Sequence, residues 1–167
     1  FRWYPNKGGS SCCNISCKNE KIVDICYKVL KSIGWVGFAD FDTIEDPRTG
    51  ELLIMEINPR VPACVKSAFA SGIDWADVIV GEYLKKSHKV YQMNRDVFLR
   101  FLGVEVLWFL KSENKWHTKP NWFNFFGKDI FYQDMSDWTD PMPFIRGTIG
   151  NIKKQLSPEF RKSKAGV

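Results

Sequence analysis

Residues 34–60 read GWVGFADFDTIEDPRTGELLIMEINPR, and this run predicts two β-strands joined by a tight turn. The strands are expected at 35–44 and 51–57, where apolar and β-branched residues are frequent. Between them, residues 46–50 read Asp-Pro-Arg-Thr-Gly, which is typical of a turn. A hairpin centred on this turn is expected to place Asp42 nearly opposite Glu56.

This hairpin brings oxygen-bearing side chains together. Directly opposed side chains on antiparallel strands have Cβ atoms about 5 Å apart, and like charges in such a pair destabilise the hairpin. Asn58 lies two residues after Glu56 and therefore shares its face. The sequence thus predicts that Asp42, Glu56 and Asn58 converge, with Asp40 as the reserve candidate for Asp42. The competing interpretation is a set of solvated carboxylates on an exposed strand face.

Two opposed carboxylates favour a hard divalent cation, since Mg²⁺ takes oxygen ligands and keeps several of its waters. The two histidines, His88 and His117, lie far from this cluster in sequence, which argues against zinc. Arg60 follows shortly after Asn58, and its planar guanidinium suits a carboxylate or a phosphate. A magnesium site with a neighbouring anion-binding arginine is therefore predicted.

The composition indicates a folded domain rather than a disordered or membrane-spanning chain. Of 167 residues, 44% are hydrophobic and 26% charged, and no apolar run approaches the length of a membrane span. The five cysteines do not form a disulfide framework or a zinc motif, so reduced thiols and a cytoplasmic location are expected. The chain begins without Met and is interpreted as a piece of a longer polypeptide.

The remaining elements are mostly helical in this interpretation. Apolar residues at helical spacing predict a helix over 17–33, capped by Ser16 or Asn19. A second helical stretch, 64–86, is expected to break near Gly72, and the apolar residues of 97–112 fit one face of a helix. Residues 1–16 look like a loop, in which Gly8 and Gly9 form either an anion-binding turn or a plain surface turn.

The run 34–60 also resembles the C-terminal part of the ATP-grasp fold. That family has an acidic residue or Gln followed about 14 residues later by Glu-x-Asn-Pro-Arg, and here Asp42 precedes Glu56-Ile57-Asn58-Pro59-Arg60 at that spacing. Three weaker resemblances accompany it, in the order of the chain: Arg2, Pro5, Gly8 and Gly9; Gly72-Ile73-Asp74; and Asp140-Pro141-Met142-Pro143. The last is similar to the tail of the carbamoyl-phosphate-synthase-like and D-aspartate-ligase-like branch.

The resemblance implies a ligase that activates a carboxylate as an acyl-phosphate and couples it to an amine or a similar nucleophile. It implies ATP and Mg²⁺, or Mn²⁺ in its place, as cofactors. The implied roles are metal binding by Asp42, Glu56 and Asn58; catalysis by Arg60; contact with adenine, or ordinary core packing, by Met55; and a substrate or phosphate loop at Gly8 and Gly9.

The resemblance further implies an α+β fold, with an antiparallel sheet and packed helices forming a C-terminal ATP-grasp subdomain over 1–90. An aromatic-rich, mainly helical subdomain is expected at 91–150 and a basic tail at 151–167. The lysines that clamp ATP in the family have no counterpart here. The chain is therefore expected to need an N-terminal half from the same polypeptide and to be inactive alone.

Three other functions compete with this interpretation. A net charge of +5 and an aromatic content of 15% suggest a nucleic-acid-binding module, but residues 151–167 alone carry a net +4 and the body is nearly neutral. The segment 97–126 suggests a membrane-surface role. The alternative interpretation is a small helical subdomain with a Trp-rich core. The third alternative is an ATP-grasp-like domain that binds without catalysing. We expect no nucleic-acid partner and no membrane span.

Overall fold

The computed structural model describes residues 2–5, 10–87, 89–133 and 139–159. The fold is mixed α+β, as predicted. The strands are β1 (Arg2–Tyr4), β2 (Ser10–Ile15), β3 (Asp40–Glu45), β4 (Leu52–Asn58), β5 (Phe98–Arg100) and β6 (Ile130–Tyr132). The helices are α1 (Glu20–Ser32), α2 (Val65–Ala70), α3 (Trp75–Tyr83), α4 (Leu102–Lys111) and α5 (Met142–Leu156).

The chain forms two compact units whose limits differ from the expected division at residue 90. One unit comprises Phe1–Ser16 together with Lys66–Val167, and the other is Cys17–Val65. The first unit is discontinuous because β2 pairs with β5, which lies more than eighty residues later in the chain. Within the described residues, no helix has the length and apolar character needed to cross a bilayer.

A four-stranded sheet organises the first unit, in the order β1-β2-β5-β6. The first two pairings are antiparallel, and β5 and β6 run parallel. The prediction of a loop over 1–16 is therefore wrong for β1 and β2. β1 has only three residues, and β2 finds its second partner, β5, far away in sequence. The segment 91–150, expected to be mainly helical, contains α4 and most of α5, together with the short strands β5 and β6, which complete this sheet. The predicted helix at 97–112 begins only at Leu102.

A row of directly paired residues crosses this sheet: Arg2 pairs with Cys13, Cys13 with Arg100, and Arg100 with Tyr132. Directly paired residues share one face, so two arginines lie on the same face with Cys13 between them. Both arginines are almost completely buried. Buried charges need partners, and α4 supplies one.

That partner is Glu105, which is fully buried in the first turn of α4. One carboxylate oxygen accepts a hydrogen bond from Arg2 Nη1, and the other accepts from Arg100 Nε at 2.7 Å. Arg100 also donates to the carbonyl oxygens of Asn124 and Trp122, at 2.7 and 2.9 Å. This ionic triad connects the sheet, α4 and the loop after α4.

Aromatic residues complete the core beside the triad. The buried cluster consists of Tyr4, Cys12, Leu107 and Trp108, with Phe101, Val104, Phe109 and Trp122 packed against it. The guanidinium carbon of Arg2 lies 5.1 Å from the centre of the Trp108 ring, and that of Arg100 lies 5.0 Å from the centre of Phe125. Part of the heavy aromatic content of the sequence therefore serves this core.

The buried thiols of this core are expected to resist alkylation. Burial, followed by the nearby Glu105 carboxylate, raises the pKa of Cys12 to about 12 and that of Cys13 to about 11. At pH 8 less than roughly one thousandth of either group is thiolate. We expect iodoacetamide to label exposed Cys17 in the native protein and to spare Cys12 and Cys13, as read by peptide mass spectrometry. Labelling of all three in urea is the control, and equal native rates would contradict the expectation.

The helices α2 and α3 confirm the predicted break near Gly72. Gly72 adopts a φ of 101°, in the left-handed region that favours glycine. Asp74 then caps α3, its Oδ1 accepting from the backbone N–H groups of Ala76 and Asp77 at 3.0 and 3.1 Å.

The second unit contains α1, β3 and β4. Asn19 caps α1, since its Oδ1 accepts from the N–H groups of Lys21 and Ile22 at 3.1 and 3.3 Å. Ser16, the other capping candidate, instead accepts a hydrogen bond from the backbone N–H of Val97 at 2.8 Å. All residues of Cys17–Val65 are described, and none of them is fully buried. The apolar side chains of this unit are therefore only partly covered.

Candidate functional site

The hairpin of β3 and β4 places four oxygen-bearing side chains on one face. Asp42 pairs with Glu56 and Asp40 pairs with Asn58, in the register predicted from the turn. Because paired residues share a face and Asp40 and Asp42 are two apart, all four belong to the same side of the hairpin. We call this set, Asp40, Asp42, Glu56 and Asn58, the acidic face.

The turn sequence fixes this register. The Asp46 carbonyl accepts from Gly50 N at 2.8 Å, and Asp46 Oδ1 accepts from Arg48 N at 2.8 Å. Gly50 has a φ of 71°, which a residue with a Cβ adopts only at a cost. Asp46 and Gly50 therefore close the turn by main-chain and side-chain bonds, and the strands that follow are held in one alignment.

A β-bulge interrupts the hairpin beside the acidic face. Beyond Asp42 the pairing shifts so that Thr43 lies opposite Ile54, and Met55 is the extra residue in β4. Strict alternation would place Met55 on the face opposite Glu56, and that expectation fails at a bulge, where two residues oppose one. Met55 is two-thirds exposed (67%), so its thioether is accessible next to Glu56.

The charges of the acidic face act on one another. Partial burial, followed by the neighbouring Asp42 carboxylate, raises the pKa of Asp40, and Glu56 acts in the same direction. Arg60 lowers that pKa and so opposes them. Three carboxylates and one guanidinium therefore share a local field, in which negative charge predominates.

Arg60 is brought close to the acidic face by a tight turn after β4. Its backbone N–H donates to the carbonyl oxygen of Asn58 at 2.8 Å, which folds the chain back immediately after the strand. The side chain is exposed, so its guanidinium is available to an anion. The geometry thus places an accessible cation beside the candidate metal ligands.

Cys64 is a neighbour of this site that the sequence pattern did not indicate. Burial raises the pKa of its thiol, and the Asp40 and Asp42 carboxylates raise it further. It lies in irregular chain after β4, where neither strand nor helix periodicity assigns a residue to a face. No motif in the sequence could therefore have placed it near the aspartates.

The donor atoms of the acidic face fit Mg²⁺ better than a softer metal. In the described part of the chain, no three acidic, histidine or cysteine side chains converge into a ready-made metal shell. Magnesium does not need one, since it is held through one or two carboxylates and completed by water and substrate phosphates. Asp42 and Glu56 supply two carboxylates, and Asn58 adds an amide oxygen.

Other residues singled out in the sequence have different outcomes. Gly8 and Gly9, expected to form a substrate or phosphate loop, and His88 lie outside the described residues. Arg2, part of the weaker resemblance, is buried and bonded to Glu105. Asp140 Oδ1 accepts from Met142 N at 3.2 Å at the start of α5.

Comparison of the chain with family models, with curated proteins and with solved structures gave no match. The chemistry of the acidic face is therefore inferred from its donor atoms, their register and their charge.

Proposed function

We propose that this chain is the C-terminal part of an ATP-grasp ligase and that its acidic face binds Mg²⁺ with ATP. Such a ligase activates a carboxylate as an acyl-phosphate and couples it to an amine or a similar nucleophile. The pairing of Asp42 with Glu56 carries the proposal, because two opposed carboxylates destabilise a hairpin unless a cation offsets their repulsion.

Each residue of the site has a distinct role in this proposal. Asp42, Glu56 and Asn58 hold Mg²⁺, or Mn²⁺ in its place, and the bound metal offsets charge on the ATP phosphates. Arg60, exposed beside them, holds the transferring phosphoryl group through its planar guanidinium. Met55 lies against the adenine ring, for which its exposed thioether is suited. Gly8 and Gly9 remain the candidates for the substrate or phosphate loop.

The partners in this proposal are ATP, a small carboxylate, an amine and an N-terminal half of the same polypeptide. Support for the last comes from the hairpin, where Ile44, Leu53 and Ile57 are 51%, 49% and 39% exposed. Ile44 pairs with Leu53 on the side of the acidic face, and Ile57 pairs with Phe41 on the other side. Further elements packed on both sides of the hairpin would bury these side chains, at a gain of about 25 cal/mol per Å² of apolar area. We propose a cytoplasmic location, because the number and spacing of the five cysteines in the sequence favour reduced thiols.

The metal assignment is tested by Mn²⁺ binding to the chain, followed by electron paramagnetic resonance with and without ATP. We expect the wild-type chain to bind Mn²⁺ and Glu56→Gln to bind it at least about tenfold more weakly, since a metal-binding carboxylate is lost. Glu45→Gln is the matched control: Glu45 is an exposed carboxylate in the same hairpin, paired with Leu52 beyond the bulge.

Two results would contradict the proposal. Absence of Mn²⁺ binding by the wild-type chain, or equal weakening by Glu45→Gln and Glu56→Gln, would remove the metal site. Turnover of ATP by this chain with a carboxylate and an amine would overturn the requirement for an N-terminal half. Binding of Mn²⁺ and ATP by a polypeptide that includes that half, without turnover, would favour the non-catalytic alternative.

A further inference from the structure

An aromatic cluster at the end of α4 has two rings packed on the buried core and two rings exposed to solvent. We call it the aromatic patch, and it consists of Phe109, Trp116, Trp122 and Phe123. The Phe109 and Trp122 rings are stacked at 4.2 Å between centroids and pack on the buried core. Trp116 lies 5.3 Å from Phe109 and 5.7 Å from Phe123, by ring centroids. The four rings therefore form one contiguous layer.

The outer half of this layer faces solvent. Trp116 is 56% and Phe123 is 53% exposed, and both rings are held in place by the inner pair. Close to them in sequence, Leu110 is 66% and Phe126 is 76% exposed. Single exposed apolar side chains are ordinary, but large ones that are contiguous in space, as the Trp116 and Phe123 rings are, mark an interaction surface.

Lysines surround these rings in the sequence. Lys111, Lys115 and Lys119 fall within nine residues that contain one acidic residue, Glu113. Lys115 Nζ lies 5.5 Å from the centre of the Phe109 ring, which places an ammonium group at the edge of the aromatic patch. The segment thus combines exposed aromatic side chains with an excess of positive charge.

This combination favours a lipid surface over a nucleic acid. Residues 101–145 contain no arginine, the side chain best suited to hold phosphates bidentately and to stack on bases. Tryptophan, phenylalanine and leucine insert at the boundary between headgroups and acyl chains, and lysines are attracted to anionic headgroups. Leu110, which offers nothing for a base to stack on, fits the first partner and not the second.

We propose that the aromatic patch docks the protein on an anionic membrane surface, with Trp116 and Phe123 inserted at the headgroup level and Lys111, Lys115 and Lys119 against the headgroups. The docking is peripheral and reversible, since two inserted rings give a modest affinity. It is independent of the proposed ligase activity, because it uses none of the residues of the acidic face.

The test is co-sedimentation of the full chain with vesicles of equimolar phosphatidylcholine and phosphatidylglycerol, compared with vesicles of pure phosphatidylcholine. We expect binding to the anionic vesicles, a blue shift of tryptophan fluorescence on binding, and weakening by salt. Neutralising Lys111 and Lys119 with glutamine is expected to weaken binding roughly fivefold per lysine. Neither lysine belongs to the ring layer. Lys111 Nζ lies 5.8 Å from the centre of the Tyr4 ring in the core, so circular dichroism checks that this variant is folded.

A second variant pair tests the rings. Trp116→Ser with Phe123→Ser is expected to abolish the fluorescence shift and the sedimentation. Trp3→Ser with Phe69→Ser is the matched control, because these residues are 53% and 43% exposed and lie in β1 and α2. Circular dichroism confirms that each variant is folded. The proposal would be overturned if the wild-type protein stayed in the supernatant, or if the control pair lost as much vesicle binding as the ring variant. It would also be overturned if the protein bound single-stranded nucleic acid in a salt-sensitive way and did not bind vesicles.

Discussion

Glu105→Gln is expected to lower the free energy of unfolding by about 3–5 kcal/mol, the largest stability change we predict for this chain. Glu105 is fully buried and accepts hydrogen bonds from Arg2 and Arg100, which are themselves buried. Glutamine preserves the shape of the side chain but removes the negative charge that Glu105 places against the two guanidiniums. Among the described residues, both buried arginines then lack their ion-pair partner.

Urea denaturation followed by circular dichroism measures this effect, with Glu113→Gln as the matched control. Glu113 is exposed two residues after α4, so its neutralisation is expected to change stability by less than about 0.5 kcal/mol. A loss below about 1 kcal/mol in Glu105→Gln would contradict the assigned role of the triad. Such a result would show that water or backbone groups satisfy the arginines as well as Glu105 does.

Gly103→Ala is expected to destabilise the protein by about 1–3 kcal/mol through overpacking between α4 and α5. A Cβ at position 103 would lie 2.6 Å from the Thr148 carbonyl oxygen and 3.1 Å from the Thr148 Cα atom. These are backbone atoms within α5, so they do not yield as a flexible side chain would. The close approach of the two helices depends on the missing side chain.

Gly150→Ala is the matched control, and it is expected to act in the opposite direction. Gly150 lies within α5, and a Cβ there would meet nothing within 4 Å. Alanine in a helix interior gains about 0.5–1 kcal/mol over glycine, because less backbone entropy is lost on folding. Thermal or urea unfolding of the two variants compares them, and a shift of equal sign would contradict the overpacking argument.

The hairpin was predictable from sequence because all its determinants are local. A turn of Asp46 to Gly50 sets the pairing of the adjacent strands, and the pairing of Asp42 with Glu56 follows from it. The bulge at Met55 was not predictable, since nothing in the residue pattern distinguishes an extra residue from regular alternation. The local pattern thus identified the acidic face but not the exposure of Met55 beside it.

The four-stranded sheet was not predictable because its determinants are distant in sequence. β1 and β5 have three residues each, too few to show a period. From the sequence alone, nothing distinguishes Arg2 and Arg100 from surface charges. Their burial depends on the position of Glu105 between them, and that position requires α4 to pack on the sheet. Cys64 was missed for a related reason, since a residue in irregular chain acquires its neighbours only from the tertiary fold.

The discontinuity of the first unit has a consequence for biosynthesis. Ile15 pairs with Phe98, so β1 and β2 leave the ribosome long before their partner strand exists. Cys17–Val65 is complete in the nascent chain during that interval, and its hairpin forms from local contacts at microsecond speed. Ser71 Oγ donates to Ser16 Oγ at 2.8 Å, which brings the chain on the two sides of that segment back together. β2 therefore cannot take its place beside β5 until the whole of Cys17–Val65 has been synthesised.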